Sequence, residues 1–338
     1  MDQINILLSM AGRKTHMIQY FNDTLNGSGK VFASNSVMTY ALTQADGYLI
    51  TPQTFDDSYM AALTDFCQSN QINYIIPLSD PDLPVLSKNK QKLRNQHISA
   101  IVSDEQTVEI CNDKWKTYQL LSTLGLPQPK TYIDLELARQ DIKSGNLNFP
   151  LFIKPRRGTE YMGIIEVDTL DELNVFYPRV QREIVESYLR DRSQQKNIVI
   201  QEKIVGDEYS LDILHDLKSN FLASIAKHKQ MKSKSTVFSA QIVDNKPFEN
   251  AVKTISSHLQ LVAAIDADCF ITKAGEVVVL EINGRCGNQY PFAHLAGINF
   301  PEQMIKWFKG QSTSDDYFSY ELGVTGCISQ LLPKSVNF

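Results

Sequence analysis

The sequence predicts an α/β unit followed by units that mix strands and helices, an α/β plus α+β architecture. Over roughly residues 1–105, short apolar runs alternate with helical patterns, which is typical of a parallel sheet with crossover helices. After about residue 204 the strands follow one another with few helices between them, which indicates antiparallel pairing. We therefore predict three domains, at 1–110, 111–203 and 204–338.

Composition excludes several classes of function. The 338 residues are 43% hydrophobic and 21% charged, as in ordinary globular proteins, which leaves room for two or three cores. The net charge of −5 argues against a nucleic-acid partner. No run of about 18 apolar residues predicts a membrane span, and the N-terminus is expected to be a first strand rather than a signal peptide. The five scattered cysteines indicate reduced thiols in a cytoplasmic protein without a zinc site.

The first unit is divided by turn residues. Its predicted strands are INILLS (4–9), KVFAS (30–34), GYLIT (47–51), NYIIPL (73–78) and ISAIVS (98–103), with helices at 15–25 and 57–70. The single Gly12 after the first strand predicts a tight turn, since no GxGxxG is present. Asp80 and Asp82 follow a strand at the edge where parallel sheets bind ligands. They either face a ligand or solvate and cap a turn, and the sequence leaves both open.

The second unit begins with a helix from Lys114 to about Leu124, for which Asp113 is the predicted N-cap. A strand over 148–158 ends in a basic loop, and residues 163–169 are its expected hairpin partner. A capping box of Thr169 and Glu172 predicts a helix to about residue 189. Residues 197–216 are interpreted as two strands around a turn at Gly206.

The third unit is predicted to be mainly antiparallel. Its strands are EYSLDILHD (208–216), FLASIAKHKQ (221–230), STVFSAQIVD (235–244), residues 264–271 and EVVVLEIN (276–283), with helices at 248–262 and 299–310. Alternation along the last strand predicts one face with Val277, Val279, Glu281 and Asn283, and a core face with Val278, Leu280 and Ile282.

The last two strands of this unit predict a metal site. Asp266 and Asp268 alternate onto one face, and a hairpin turning at Gly275 would bring Asp268 opposite Glu281. Clustered carboxylates and an amide oxygen suit Mg²⁺, which takes one or two carboxylates and completes its shell with phosphates and water. Arg285, just beyond, would reach the same phosphates. The alternative is a surface hairpin with solvated charges, which the apolar run disfavours.

Two further clusters of charged residues could bind a nucleotide, but neither indicates that function by itself. Lys114 and Lys154 would supply positive charge to a polyphosphate, although each alone is typical of a solvated surface lysine. The stretch IQEKIVGDE (200–208) is either an adenine clamp or a charged hairpin. In a clamp, Glu202 accepts from the exocyclic amine, the Lys203–Val205 backbone bonds the ring, and Glu208 takes the ribose hydroxyls.

Taken in order, these residues resemble the ATP-grasp superfamily, in particular carbamoyl-phosphate-synthase-large-chain-like and biotin-carboxylase-like proteins. The matching stretches are DKWKTYQLLSTLGLPQPKTY, FPLFIKPRRG, VIQEKIVGDEYSLDIL and VVVLEINGRCGNQYPFAHLAGINFP. The last contains the family's Glu-x-Asn-x-Arg, and His294, Gly297, Phe300 and Pro301 fit its end. The resemblance implies an ATP-grasp fold with a Rossmann-like pre-ATP-grasp domain, a small lid and a C-terminal antiparallel domain.

The resemblance also implies roles for individual residues. Phosphates fall to Lys114 and Lys154, adenine to Glu202, Lys203 and Val205, ribose to Glu208, Mg²⁺ (or Mn²⁺) to Asp268, Glu281 and Asn283, and catalysis to Arg285 and Lys154. Substrate or phosphate contacts are implied for Lys227, Lys229 and Lys232. Two departures stand out: Asp268 is a short metal ligand, and the lid loop RRGTEYMG (156–163) is poor in glycine. Either this loop is stiffer than in relatives, or Arg156 and Arg157 replace its backbone donors.

The implied activity is that of an ATP-dependent carboxylate–amine ligase that works through an acyl phosphate and releases ADP and phosphate. Its partners would be a small carboxylate and an amine, with neither nucleic acid nor membrane, and a homodimer remains open. A first alternative is activation of bicarbonate or carbamate, as in carbamoyl phosphate synthases. A second is a nucleotide-binding regulatory protein without turnover.

Overall fold

The computed structural model describes residues 3–158, 163–186, 196–233, 236–313 and 318–328. Three sheets organise them, and their strands lie within residues 4–100, 131–202 and 206–327. The predicted mixed fold is confirmed. The three domain boundaries stay a proposal. Within the described ranges, no helix has both the length and the apolar character needed to cross a membrane.

The N-terminal sheet is parallel, in the order β3-β2-β1-β4-β5. Its elements are β1 (Ile4–Ser9), α1 (Thr15–Leu25), β2 (Gly29–Asn35), β3 (Gly47–Ile50), α2 (Tyr59–Ser69), β4 (Tyr74–Pro77), α3 (Leu83–Arg94), β5 (Ser99–Ala100) and α4 (Glu105–Cys111). Helices α3 and α4 were not predicted from the sequence. The polar stretch SKNKQK hides the inward face of α3, where Leu83, Leu86 and Leu93 are buried.

The middle sheet is antiparallel, in the order β6-β9-β7-β8. Its elements are α5 (Lys114–Thr123), β6 (Thr131–Tyr132), α6 (Leu135–Ser144), β7 (Leu151–Pro155), β8 (Ile165–Val167), α7 (Leu170–Glu186) and β9 (Ile198–Glu202). The predicted hairpin of β7 and β8 is confirmed. At the start of α7, the Glu172 N–H donates to the Thr169 hydroxyl, as the capping box predicts. Helix α6 was not predicted, and the end expected for α7 lies outside the described residues.

The C-terminal sheet is antiparallel, in the order β14-β13-β10-β11-β12-β15. Its elements are β10 (Gly206–His215), β11 (Phe221–Ser233), β12 (Thr236–Val243), α8 (Glu249–His258), β13 (Ala264–Thr272), β14 (Val277–Asn283), α9 (Tyr290–Leu295), α10 (Phe300–Phe308) and β15 (Thr325–Cys327). The two strands predicted around Gly206 are confirmed as β9 and β10, but the turn between them does not lie at Gly206. Gly206 instead opens β10 and pairs with Thr272, so residues 203–205 cross from one sheet to the other.

Buried apolar side chains pack the N-terminal sheet against the C-terminal sheet. One cluster joins β1, β2 and α1 to α9, α10 and the strands β11 and β12. A second packs α5 and α8 on one face of the C-terminal sheet. That face takes alternate residues of each strand, so the remaining side chains of its central strands project from the opposite face, towards the candidate site.

Candidate active site

Charged residues form a ladder across four strands on one face of the C-terminal sheet. In the register, Asp268 of β13 is opposite Ser210 of β10 and Glu281 of β14. One step along, Asp266 is opposite Asp212 and Asn283. Directly opposed residues of an antiparallel pair have Cβ atoms about 5 Å apart, so these side chains are neighbours. The predicted pairing of Asp268 with Glu281 is therefore confirmed.

A β-bulge corrects the alternation predicted for β14. Cys269 is opposite Val279 while Asp268 is opposite Glu281, so Leu280 is an extra residue between the two pairs. Val279 consequently packs in the same core cluster as Ile282, not on the face of Glu281. A bulge is a common device for re-aiming a side chain. Here it leaves the apolar residues before it in the core and turns Glu281 to the ladder.

Lys229 connects the ladder to a residue predicted to bind ribose. Its Nζ lies 2.7 Å from Glu208 Oε1 and 2.6 Å from Asp268 Oδ1. Burial is the largest single influence and opposes the charge, but the nearby carboxylates, Asp268 foremost, together raise the pKa of Lys229. The other Glu208 oxygen contacts Lys232 Nζ. A carboxylate has about four acceptor positions, so Glu208 keeps capacity for a ribose hydroxyl.

The two lysines predicted to bind phosphates act on the same carboxylate. Lys154 of β7 is 6% exposed, and burial lowers its pKa to about 8 while Glu281 opposes that shift. Lys114 opens α5, and its Nζ donates to the Gly158 carbonyl at 3.1 Å. Burial works against ionisation of Glu281, but Lys114 and Lys154 lead the charges that lower its pKa. Lys114, Lys154 and Glu281 therefore converge from three elements.

Arg285 is held by the N-terminal unit. Its Nη2 lies 3.0 Å from Asp80 Oδ2, and its Nη1 lies 3.8 Å from Asp266 Oδ2. Asp80 is 8% exposed and Asp82, which accepts from the Ser9 hydroxyl, is fully buried. The alternative in which these two acids are solvated is therefore wrong. The sequence placed Asp80 at a ligand-binding edge but missed its pairing with Arg285, because no pattern joins positions 205 residues apart.

The residues predicted to bind a metal would supply only part of the ligands of a metal ion. Asn283 donates its amide Nδ2 to Asp266 Oδ2 at 3.2 Å, which leaves the amide oxygen for a cation. Across the described ranges, no group of three or more Asp, Glu, His or Cys side chains would hold an ion by itself. Mg²⁺ in nucleotide sites needs only one or two carboxylates, since phosphates and water supply the rest. Asp268, Glu281 and Asn283 suit that mode.

The residues predicted to bind adenine lie where the chain crosses between two sheets. Glu202 ends β9, and its Oε2 accepts from the Lys130 N–H at 3.2 Å. The Lys203 ammonium group pairs with the Glu166 carboxylate at 2.6 Å. The backbone N–H of Lys203 donates to the Pro150 carbonyl at 3.4 Å. Val205 is 66% exposed. The Lys203 side chain is therefore engaged on the middle sheet, and a role in binding adenine would fall to backbone groups.

The start of the lid loop is fastened to α5. Asp113 accepts from the N–H groups of Trp115 and Lys116, which confirms the predicted N-cap. The same buried carboxylate pairs with Arg156 at 2.7 Å and with Arg157 at 3.1 Å. Both guanidinium groups are thus engaged by Asp113, so they do not replace backbone phosphate donors in this conformation. The other loop residues singled out, 161 and 162, lie outside the described residues.

Lys227 is a fully buried member of the ladder. Its Nζ lies 2.5 Å from Asp212 Oδ2, and neither side chain is more than 1% exposed. Burial raises the pKa of Asp212 against the opposing effect of Lys227. The contact to substrate or phosphate implied for Lys227 therefore has no direct geometric support, because its charge is already neutralised inside the protein.

Comparisons with known families agree with this architecture. Residues 6–101 match the family of PylC-like N-terminal domains, and residues 147–291 match the ATP-grasp domain family. The arginine-specific carbamoyl phosphate synthase large chain of Bacillus subtilis (strain 168) is 22% identical over an alignment of 235 residues that covers 67% of this chain and 22% of that protein. This chain thus spans about a fifth of that relative.

Two more proteins cover larger shares of their own length. The D-alanine–D-alanine ligase of Streptococcus agalactiae is 24% identical over 263 residues, covering 73% of this chain and 72% of the relative. The biotin carboxylase domain of Hydrogenobacter thermophilus 2-oxoglutarate carboxylase superposes with a TM-score of 0.76 at 13% identity, over 96% of this chain and 74% of the other. That structure is described as a dimer in complex with MgADP, ADP and bicarbonate.

Proposed function

This chain carries an ATP-grasp domain behind a PylC-like N-terminal domain, and we propose that it is an ATP-dependent carboxylate–amine ligase. In this proposal ATP lies between the middle and C-terminal sheets. The acceptor carboxylate and the amine enter from the side of the N-terminal unit, where Asp80 holds Arg285.

One observation supports the proposal most directly, namely the convergence of charge on Glu281. The β13–β14 register sets Asp268 beside it, and Lys154 and Lys114 bring positive charge from two other elements. Opposite charges gathered in a buried site are the arrangement that phosphoryl transfer needs, because its catalysis is mostly positioning and neutralisation. If the β13–β14 hairpin were a surface hairpin with solvated charges, a buried Lys154 that interacts with Glu281 would not be expected.

The proposed roles follow from the geometry. Lys114 and Lys154 bind phosphate oxygens, Arg285 stabilises charge on the transferring group, and Glu281, Asn283 and Asp268 hold Mg²⁺. When bound, Mg²⁺ neutralises phosphate charge and orients the γ-phosphoryl group. Glu202, the backbone of Lys203 and Val205, and Glu208 contact the nucleoside. The carboxylase domain that shares this fold is described as a complex with MgADP and ADP, which supports the proposal that this chain binds an adenine nucleotide.

The proposed reaction has two steps. A substrate carboxylate oxygen attacks the γ-phosphorus of ATP, the bond to the β–γ bridging oxygen breaks, and ADP leaves. The amine nitrogen then attacks the carbonyl carbon of the acyl phosphate, phosphate leaves, and the nitrogen loses a proton. Arg285 and Lys154 supply fixed positive charge to the first step. The closing of the middle unit would exclude water from the acyl phosphate.

The test is a screen of purified protein with ATP, Mg²⁺ and pools of small carboxylates, with and without amines. We expect ADP and phosphate release in a pool that contains the substrates, and hydroxylamine should trap the acyl phosphate as a hydroxamate. Release with bicarbonate alone would favour the bicarbonate alternative. The ligase proposal fails if no pool releases ADP and Glu281→Ala leaves ATP binding unchanged. ATP binding without turnover in any pool would favour the regulatory alternative.

The same purified protein can be used to test the choice of metal ion and the oligomeric state. Mn²⁺ is proposed as a substitute for Mg²⁺, and replacing one by the other in the active pool tests it. A homodimer is proposed by analogy with the carboxylase domain described as a dimer. Light scattering should then give about twice the 38.3 kDa mass of one chain.

A further inference from the structure

An ammonium group lies where the acidic face would hold a cation. Lys229 Nζ is 2.7 Å from Glu208 and 2.6 Å from Asp268, and its side chain is 4% exposed. Two carboxylates this close would repel each other in a buried site unless a cation lay between them. In this protein the Lys229 side chain supplies that cation.

We propose that the Lys229 ammonium takes the place of a second metal ion, so that the site binds ATP with a single divalent cation. The cation is held on the side of Glu281 and Asn283, and Lys229 remains between Glu208 and Asp268. This inference rests on the proposed function, because it assumes that ATP binds at this ladder.

The oxygens left for metal binding support a count of one. Asp268 Oδ1 accepts a hydrogen bond from the Lys229 ammonium group. The short Asp268 side chain cannot also extend to two metal ions on opposite sides. Each Glu208 oxygen lies against an ammonium group, one against Lys229 and the other against Lys232, so a neutral ribose hydroxyl can still donate to it but a second divalent cation would be repelled. On the opposite side, the amide oxygen of Asn283 is left for a cation by the hydrogen bond of its Nδ2 to Asp266. One carboxylate, one amide oxygen and a remaining Asp268 oxygen suffice for one Mg²⁺ with phosphates and water.

The position of the ammonium also excludes a second ion. A divalent cation bridging Asp268 towards Glu208 would have to occupy the space that Lys229 Nζ fills. Displacing the lysine would leave its charge without a partner, which is unfavourable because the side chain is only 4% exposed. Because the contact is built from β10, β11 and β13, the lysine is fixed by the sheet rather than by a mobile loop.

The test counts Mn²⁺ ions bound per nucleotide, using adenylyl imidodiphosphate as a non-hydrolysable ATP analogue and the electron paramagnetic resonance signal of free Mn²⁺. We expect one ion in the wild type and two in Lys229→Met, where Asp268 and Glu208 are released. Lys229→Arg keeps the positive charge and should stay at one. Two ions in the wild type, or one in a folded Lys229→Met protein, would overturn the proposal.

Lys232→Met is the matched control. Lys232 also contacts Glu208, but it is 43% exposed and has no contact with Asp268 among those found for the described residues. Its removal should leave the count at one. If Lys229→Met does not fold, the wild-type count still decides, since two ions refute the proposal and one supports it. A wild-type protein that binds no nucleotide at all would instead contradict the proposed function, so the two failures are distinguishable.

Discussion

The two ends of the proposed nucleotide site are built in different ways. The phosphate end is a lattice of side chains, in which Glu281, Lys154 and Asp268 come from three strands of two sheets and compensate one another's charge. The adenine end is a stretch of backbone at 203–205, with an exposed Val205 and a Lys203 whose side chain is turned to Glu166. The phosphate end depends on side-chain charge, whereas the adenine end depends on the path of the backbone.

This difference tells which substitutions matter. Charged groups in a buried lattice have strong interactions and leave an uncompensated partner when one is removed. A backbone hydrogen bond survives most substitutions of its own side chain. We therefore expect large effects of substitution at the phosphate end and small effects at the adenine end.

The largest effect is expected for Glu281→Gln. The amide keeps the shape but loses the charge that faces Lys114 and Lys154, so metal binding and phosphate positioning both suffer. Turnover in the active pool should fall by about a thousandfold, comparable to the loss of a key electrostatic group in other enzymes. ADP release measured at saturating Mg²⁺ checks this. Glu276→Gln, at an exposed position in the same hairpin, is the control and should retain full activity. A mild effect at Glu281 would remove the proposed contrast between the two ends.

Lys227→Met should destabilise the protein rather than change its chemistry. It leaves Asp212 buried without its 2.5 Å partner, and breaking such a pair typically costs about 3–5 kcal/mol. We expect about 3 kcal/mol, because Asp212, whose pKa burial already raises, can take up a proton. Urea unfolding of the two proteins measures this. The double variant Lys227→Met with Asp212→Leu should recover much of the loss, and a failure to do so would mean that the pair is not the main support of the ladder.

The pH dependence of nucleotide affinity should report on Lys154. Its pKa of about 8 in the free protein lies below the ordinary value because of burial, so the ammonium loses its proton as the pH rises above 8. Bound phosphate favours the charged form and raises that pKa, so binding above pH 8 must take up a proton. Affinity should therefore be constant below about pH 8 and fall by up to tenfold per pH unit above it. Calorimetry in buffers of different ionisation enthalpy measures the proton uptake. Lys154→Arg, which stays charged, should show a flatter profile.

The same contrast explains how far the sequence alone could lead. Strand alternation and a turn at Gly275 were enough to predict that Asp268 faces Glu281, because register in a short hairpin is a local property. The bulge at Leu280 was missed, since an extra residue leaves no mark in a run of aliphatic side chains. The partners of Arg285 and Glu208, namely Asp80 and Lys229, depend on strand order, which a single sequence does not contain.

The adenine end should give the smallest effect. Glu202→Gln replaces a partly exposed carboxylate by an amide that still accepts a hydrogen bond from the adenine amine, while the backbone of 203–205 is unchanged. The expected loss of affinity for ATP is about fivefold, or about 1 kcal/mol, because a hydrogen bond to a charged acceptor is stronger than one to a neutral acceptor. The preference for ATP over GTP should fall by a similar factor, because the amide can also donate to a guanine oxygen. Calorimetric titration with both nucleotides tests this. If Glu281→Gln and Glu202→Gln lost the same ATP affinity in this titration, side-chain charge rather than the backbone path would govern both ends of the site.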